Sequence, residues 1–491
     1  MVSVEKKSAF LMSCGSVLVV IGAVLVVFWP TLFFAVLKSL MILTPTSTSF
    51  SIWREIPIPM YLEFYMFNVT NVDDIRAGKN VSFEVEQFGP YVYREYHIKQ
   101  NLTWNPNGTV TYFNQRTWQF QPDMSNGSLS DIIVNINPIV ATVSYIMRRQ
   151  PTIFRVTVDV FMKMYHEHMF IAANVTQWLF DGIEDPIMEL TKRFPDLPID
   201  IPFDKFGWFY ERNGSVEFDG IFLMNTGAND FSQLGNLVKW RHSDRTAYRG
   251  ECGEVRGSSG ELWAPELGQP EVTIFAADLC TYMDLAKGED ITVHGIDGVV
   301  YAANDSVFDN GYRYPRKACY CDEVRDENCL PPGALNVSTC RWGAPAFVSQ
   351  PHFYNMDPYY PSKIKGLKPT DDMNFKLALE MYTGMPLTVS AQLQINLLVR
   401  HITGFSLNNQ LPDPDTLVPM FWFRQEVMIT EDYARLARLA LNVRSGIPYG
   451  LYALTAIGIL LLVGGIYVLM RKLLQSPENT PILDEPNEEA Q

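Results

Sequence analysis

Six cysteines carry the most specific chemistry in this chain of 491 residues. They are Cys252, Cys280, Cys319, Cys321, Cys329 and Cys340, and a seventh, Cys14, stands far from them. An even, clustered set reads as disulfides in an oxidising compartment. Zinc is the rival, but Cys319-x-Cys321 lacks a matching Cys/His knuckle. Six thiols allow ~15 pairings, and spacing does not choose among them, except that Cys319 and Cys321 are poorly placed to bond each other. Catalytic patterns fail one by one. His166-Glu167-His168 lacks the i, i+4 histidine pair of a helical metal site. Gly257-Ser-Ser-Gly260 has the wrong spacing for a nucleophile elbow. No Walker loop or dinucleotide fingerprint occurs. His352, between Pro351 and Phe353, reads as a packed residue rather than a base. The expectation is a protein that is not an enzyme and needs no cofactor.

Two apolar runs must position everything else. Ala9 to Trp29 and Tyr449 to Met470 carry no charge. At ~1.5 Å per residue, either can cross a ~30 Å hydrocarbon core. The first is longer than a usual signal-peptide core and continues from Leu32 to Leu43, so it reads as a retained anchor. Lys6 and Lys7 precede the first run, and Arg471 and Lys472 follow the second, which places both termini in the cytoplasm. The predicted layout is a cytoplasmic stub (1–8), a span (9–29), an ectodomain (30–448), a span (449–470) and a cytoplasmic tail (471–491).

Nine Asn-x-Ser/Thr sequons all fall between the spans: Asn68, Asn80, Asn101, Asn107, Asn126, Asn174, Asn213, Asn304 and Asn336. They agree with an ectodomain outside the cytoplasm. A net charge of −15 argues against nucleic-acid binding. An apolar fraction of 47% excludes a disordered chain. A two-span channel would share this layout, but the second run offers little beyond Thr455 and its glycines to line a pore.

The ectodomain reads as one α+β domain. Val81–Val85 and Val92–Ile98 alternate as strands with Gly89-Pro90 as the turn between them. Thr109–Phe113 reads as a further strand. Asp131–Met147, Thr152–Phe170, Asn174–Leu179 and Pro186–Lys192 read as helices. Strands dominate after Phe206, and Asp432–Val443 is a last helix leading into the second span.

The chain resembles the class B scavenger receptors, the invertebrate branch in particular. The likeness rests on the segment from Trp53 to Asn71, Phe88-Gly-Pro-Tyr-Val-Tyr-Arg94, Glu184-Asp-Pro186, Gly207-Trp-Phe-Tyr210 and Asn225-Thr-Gly-Ala-Asn229. It continues through Cys319-Tyr-Cys321, Pro351-His-Phe353, Gly366-Leu-Lys-Pro369 and Gln394-Ile-Asn-Leu-Leu398. The resemblance implies the pairs Cys252–Cys319, Cys280–Cys340 and Cys321–Cys329. It also implies an antiparallel β-barrel-like core with an apical helical bundle and a lipid tunnel. The function implied is binding of lipids or lipoproteins at the apex, transfer of lipid to the membrane, and endocytosis. A cargo receptor for a protein ligand, related to the lysosomal member, and a phagocytic receptor are the alternatives. Homo-oligomers are compatible with the family.

Along the chain, the apex falls between about Thr142 and Lys192. The fatty-acid-binding relative uses apical lysines for anionic ligands. Here Lys163 is offset, and His166, Glu167 and His168 take that place. Two histidines titrating near ~6.5 would change ligand grip between cell surface and endosome. Glu478, Ile482 and Leu483 in the tail are similar to an acidic dileucine signal for a clathrin adaptor. Cys14 is a candidate for palmitoylation.

Overall fold

The computed structural model describes residues 4–79, 81–193, 202–265, 269–321, 329–411 and 415–475. The chain opens with α1 (Val4–Met41), α2 (Thr48–Arg54), β1 (Met60–Val69), α3 (Val72–Arg76), β2 (Phe83–Asn105) and β3 (Thr109–Phe120). The apical segment follows: β4 (Ile132–Ile136), α4 (Pro138–Met147), α5 (Thr152–Met164), β5 (Phe170–Asn174), β6 (Ile183–Glu184), α6 (Pro186–Arg193) and β7 (Lys205–Phe206). Then come β8 (Ile221–Asn225), β9 (Leu237–Trp240), β10 (Glu271–Ala276), β11 (Thr281–Val293) and β12 (Ile296–Ala302). The last elements are β13 (Leu335–Asn336), β14 (Ala346–Ser349), β15 (Ile364–Lys365), β16 (Lys376–Leu379), β17 (Pro386–Val399), β18 (Thr416–Met428) and α7 (Glu431–Gln475). Contacts divide the chain into a helical unit, α1 with most of α7, and an ectodomain unit from Leu40 to Ala434.

The main sheet runs β10-β11-β12-β16-β17-β18-β1-β2-β3-β8-β9 and is antiparallel along this path. Its two edges, β9 and β10, are joined by a short strap. The Leu237 N–H donates to Gly257 O at 2.8 Å, and the Ser258 N–H donates to Thr273 O at 3.0 Å. The Phe275 N–H returns a bond to Ser258 O at 2.8 Å. Gly257 has φ +85° and lies so close to β10 that a Cβ would sit 2.6 Å from Thr273 O, a position only glycine fills without strain. The sheet is thus nearly closed, which removes the exposed edges of an open sheet.

The apical elements correct the sequence reading. Gly89-Pro90 is not a turn but a cis peptide inside the continuous strand β2. Asp131–Met147 is not one helix. The β-branched run Ile132-Ile133-Val134 forms β4, and Asn137-Pro138 then starts α4, with Asn137 Oδ1 accepting from the Ile139 N–H at 2.9 Å. The helix from Thr152 ends at Met164, not Phe170, because His166 turns left-handed at φ 59°. The short helix expected at Asn174–Leu179 is present but displaced: Asn174 ends β5, and a π-helical turn follows over Gln177–Asp181.

In the helical unit, most apolar side chains face outward, as lipid contact requires. Ser8, Gly15 and Gly22 form the buried stripe of α1, at a seven-residue spacing. Gly458 and Gly465 answer them on α7 at the same spacing. A Cβ on Gly15 would lie 2.7 Å from Gly458 O, and one on Gly458 would lie 2.9 Å from Gly15 O. The Ser8 hydroxyl donates to Gly465 O at 2.8 Å. Small residues let transmembrane helices approach closely enough for dispersion to hold them. Gly458→Leu is therefore expected to part the helices. Zero-length carbodiimide cross-linking of the native Glu5–Lys472 ion pair should be efficient in the parent chain and fall about tenfold or more with Gly458→Leu.

Candidate functional site

Alternate residues on the inner face of the barrel converge on one cavity of about 210 Å³. Leu393, Ile395 and Leu397 of β17 line it, each two residues from the next, as strand geometry demands. Phe421 and Phe423 of β18 face them in register. Trp208 and Phe209 add aromatic wall, with Trp208 packed 5.2 Å from Phe421 and Phe209 packed 5.6 Å from Trp118. Pro138, Ile139 and Thr142 of α4 close the cavity on one side.

The more exposed lining residues define a mouth: Trp342, Arg341, Asp278 and Lys205. Ion pairs frame it. Arg212 lies 2.5 Å from Asp278 and 2.9 Å from Asp219. Arg116 binds Asp219 at 2.7 Å and reaches Asp278 at 3.3 Å. A disulfide joins Cys280 to Cys340, so the segments carrying Asp278 and Arg341 are covalently tied beside the mouth. Two further disulfides join Cys252 to Cys319 and Cys321 to Cys329.

Sequence reasoning missed these groups because they come from non-adjacent strands and loops. One local signal was present and pointed the other way. Glu95, His97 and Lys99 share one parity of β2, and alternation would place that charged set in solvent. Instead Glu95 and Lys99 are buried inside the barrel and His97 is nearly so.

The apical residues singled out from sequence do not act as one group. Lys163, His166 and His168 are exposed, and Lys163 pairs with Asp159 at 3.3 Å. Glu167 turns inward and is buried. It accepts from Asn137 Nδ2 at 3.2 Å and hydrogen-bonds Asp185. Asn137 caps α4, and Asp185 caps α6 through the Ile187 N–H at 2.8 Å. Burial, then the charge of Asp185, pushes the Glu167 carboxyl up to about 8. A shared proton thus links the caps of two apical helices.

On α5 the Met and Phe residues divide between surface and core. Met162 is fully buried, whereas Ile153, Phe154, Val160 and Met164 are exposed.

Among the sequons, Asn107, Asn126, Asn213 and Asn304 are exposed in turns and loops, Asn101 is exposed within β2 where its pairing with β3 is irregular, and Asn68, Asn174 and Asn336 are half-buried. Asn80 and the tail residues Glu478, Ile482 and Leu483 lie outside the described residues. Cys14 is a free thiol on α1. His352 is buried, and both its ring nitrogens are occupied, by Gln87 at 2.7 Å and the Lys368 N–H at 3.1 Å.

A family model described as the CD36 family matches residues 13–469, nearly the whole chain. The chain belongs to the CD36 family. Curated CD36-family relatives include Protein peste of Drosophila melanogaster, 34% identical over 412 residues, covering 83% of this chain and 72% of the relative. Scavenger receptor class B member 1 of Sus scrofa is 34% identical over 457 residues, covering 91% and 86%. Lysosome membrane protein 2 of Homo sapiens is 30% identical over 417 residues, covering 83% of each. The two terminal helices, the nearly closed barrel-like sheet and the three disulfides accord with CD36-family membership. Two of these relatives carry the names of a scavenger receptor and of a lysosome membrane protein.

Proposed function

We propose that this CD36-family member is a scavenger receptor that takes lipid from an external carrier into its barrel cavity and delivers it to the membrane. The observation that carries this reading is the cavity itself, apolar along β17 and β18 and open at a polar mouth. Exposing an acyl chain to water costs ~0.8 kcal/mol per CH₂, so a shielded route lowers the barrier to leaving a carrier. Lipids or lipoproteins are the ligands on this reading. The ectodomain lies outside the cytoplasm, both termini lie inside, and the receptor works at the plasma membrane or along the endosome–lysosome route. Glu478, Ile482 and Leu483 would engage a clathrin adaptor, and Cys14 would accept a palmitoyl group.

A second reading is favoured by the exposed face of α5. Ile153, Phe154, Val160 and Met164 form an apolar strip that a protein cargo could cover, and Met adapts to varied apolar shapes.

The test is uptake of a fluorescent lipid by cells expressing the chain, normalised to surface copies. Ile395→Trp, which fills the cavity from β17, should cut uptake about fivefold or more without lowering surface copies. Uptake unchanged by the filled cavity would overturn lipid transfer and favour the protein-cargo reading. Ile482→Ala with Leu483→Ala serves as the companion, raising surface copies if the tail directs endocytosis.

A further inference from the structure

The barrel interior changes character past the cavity. On β2 and β3 the paired positions are Glu95 with Trp118, His97 with Arg116, and Lys99 with Asn114. The cavity reaches Glu95, Trp118 and Arg116 and goes no further along these strands. The next inward groups are ions. His97 lies between two carboxylates, with Nε2 2.7 Å from Glu95 and Nδ1 3.0 Å from Glu261. Lys99 Nζ stands 2.7 Å from the Glu261 carboxylate and 3.0 Å from Asn114 Oδ1. Beyond Lys99 come the rings of Trp53 and Tyr112, packed on each other at 4.9 Å, with Phe222 against Tyr112 at 5.4 Å. The interior is therefore layered: an apolar cavity, an ionic belt, then an aromatic layer.

Glu95, His97, Lys99 and Arg116 sit on hydrogen-bonded strands. Glu261 arrives differently, on the strap whose Gly257 and Ser258 zip β9 to β10. The strap comprises Gly257, Ser258, Ser259, Gly260 and Glu261. Past the zip, Gly260 has φ +97°, and no atom lies within 4 Å of where its Cβ would be. The strap thus closes the seam of the barrel and sends one carboxylate into its middle. That carboxylate is strongly held. Burial pushes it up, but Lys99 and His97 more than offset this and keep it at about 2.

We propose that this strap, through the Glu261 carboxylate joined to Lys99 and His97, is a gate that holds lipid in the cavity and sets the rate of its passage through the barrel. The gate rests on the reading that lipid moves through the barrel. An acyl chain cannot replace the partners of dehydrated ions, so it cannot enter the belt while the pairs are closed. Withdrawal of Glu261 with its strap opens the seam and the belt together, because both depend on the same five residues.

The test uses the full-length receptor in liposomes. Loading is read as quenching of tryptophan fluorescence by a brominated fatty acid, since Trp118 and Trp208 line the cavity. Delivery is read as the rate at which a pyrene-labelled fatty acid reaches the bilayer. Lys99→Met with Glu261→Met removes both ions of the pair without orphaning either charge. Loading should stay within about twofold of the parent, and delivery should quicken about tenfold. Glu261→Gln, which keeps the shape and removes the charge, should quicken delivery by a smaller factor and decides the question if the double variant does not load. Delivery at the parental rate with normal loading overturns the gate. A parent chain that does not load at all overturns the lipid reading instead.

Discussion

Acidification from pH 7.5 to pH 5 is expected to stabilise the ectodomain, and Glu167→Gln is expected to remove much of that dependence. Glu167 is buried between Asn137 and Asp185, with its carboxyl raised to about 8 by burial and then by Asp185. In the unfolded chain the same carboxyl titrates near ~4.3. Between about pH 4.5 and about pH 8 the folded state therefore holds a proton that the unfolded state releases. Stability falls as pH rises through that window, the reverse of a salt-bridged carboxylate. Over the interval from pH 5 to 7.5 the contribution is on the order of 2–3 kcal/mol. Asp185 remains the acceptor because it caps the N-terminus of α6, where negative charge is favoured. Protonated Glu167 is then the donor, and a glutamine amide can take over that role without titrating.

The measurement is thermal unfolding of the parent chain and of Glu167→Gln at several pH values. His97 contributes with the same sign. Glu95 and Glu261 hold its imidazole above the usual range despite burial, so its stabilisation is present at low pH and is lost as pH rises through the folded value. The difference between parent and variant isolates the Glu167–Asp185 pair, because burial raises the Asp185 carboxyl as well and the two share the proton. A difference that does not change between pH 5 and pH 7.5 would show that no shared proton joins the apical caps.

The membrane helices were legible because a long uncharged run has few other uses. The ectodomain was legible in class but not in its inner arrangement. Ile132-Ile133-Val134 carried a strand signal that the helical reading of Asp131–Met147 overrode, and Asn137-Pro138 marked the true helix start. Gly89-Pro90 is a turn signal by composition, yet β1 pairs with β2 on both sides of it, Phe64 with Tyr91 and Met66 with Phe88. Tertiary pairing prevails there over local propensity. The inward parity of Glu95, His97 and Lys99 was hidden for a different reason. Periodicity reports which face is apolar, and it assumes that the apolar face is the core. In this barrel the middle is ionic, so the assumption inverts. The cavity itself depends on residues hundreds of positions apart, such as Leu62 and Gln425, which no local pattern can bring together.

His352→Ala is expected to destabilise the ectodomain by about 2–4 kcal/mol. Three losses add. The first is packing: the ring lies edge-on to Phe67 at 5.2 Å and to Trp422 at 6.0 Å, and alanine leaves that volume empty. The second is hydrogen bonding. The Lys368 N–H donates to Nδ1, which leaves Nε2–H to donate to Gln87 Oε1, and Gln87 Oε1 also accepts from Trp422 Nε1 at 2.7 Å. Removing the ring leaves the Lys368 N–H without its acceptor and takes from Gln87 Oε1 one of its two donors. The third is backbone: His352 stands at φ 53°, where histidine is better tolerated than alanine. Burial, and then the charge of Lys368, lowers the imidazole to about 4, so it stays neutral at pH 5 and at pH 7.5. The same loss is therefore expected at both values. Its lone pair is already spent on Lys368, which removes it as a general base and makes it a joint between β2, β18 and the Gly366-Leu-Lys-Pro369 segment. Equilibrium denaturation of the parent and of His352→Ala at the two pH values measures this. A loss under about 1 kcal/mol, or one that changes sharply with pH, would mean that the ring does not hold these segments together.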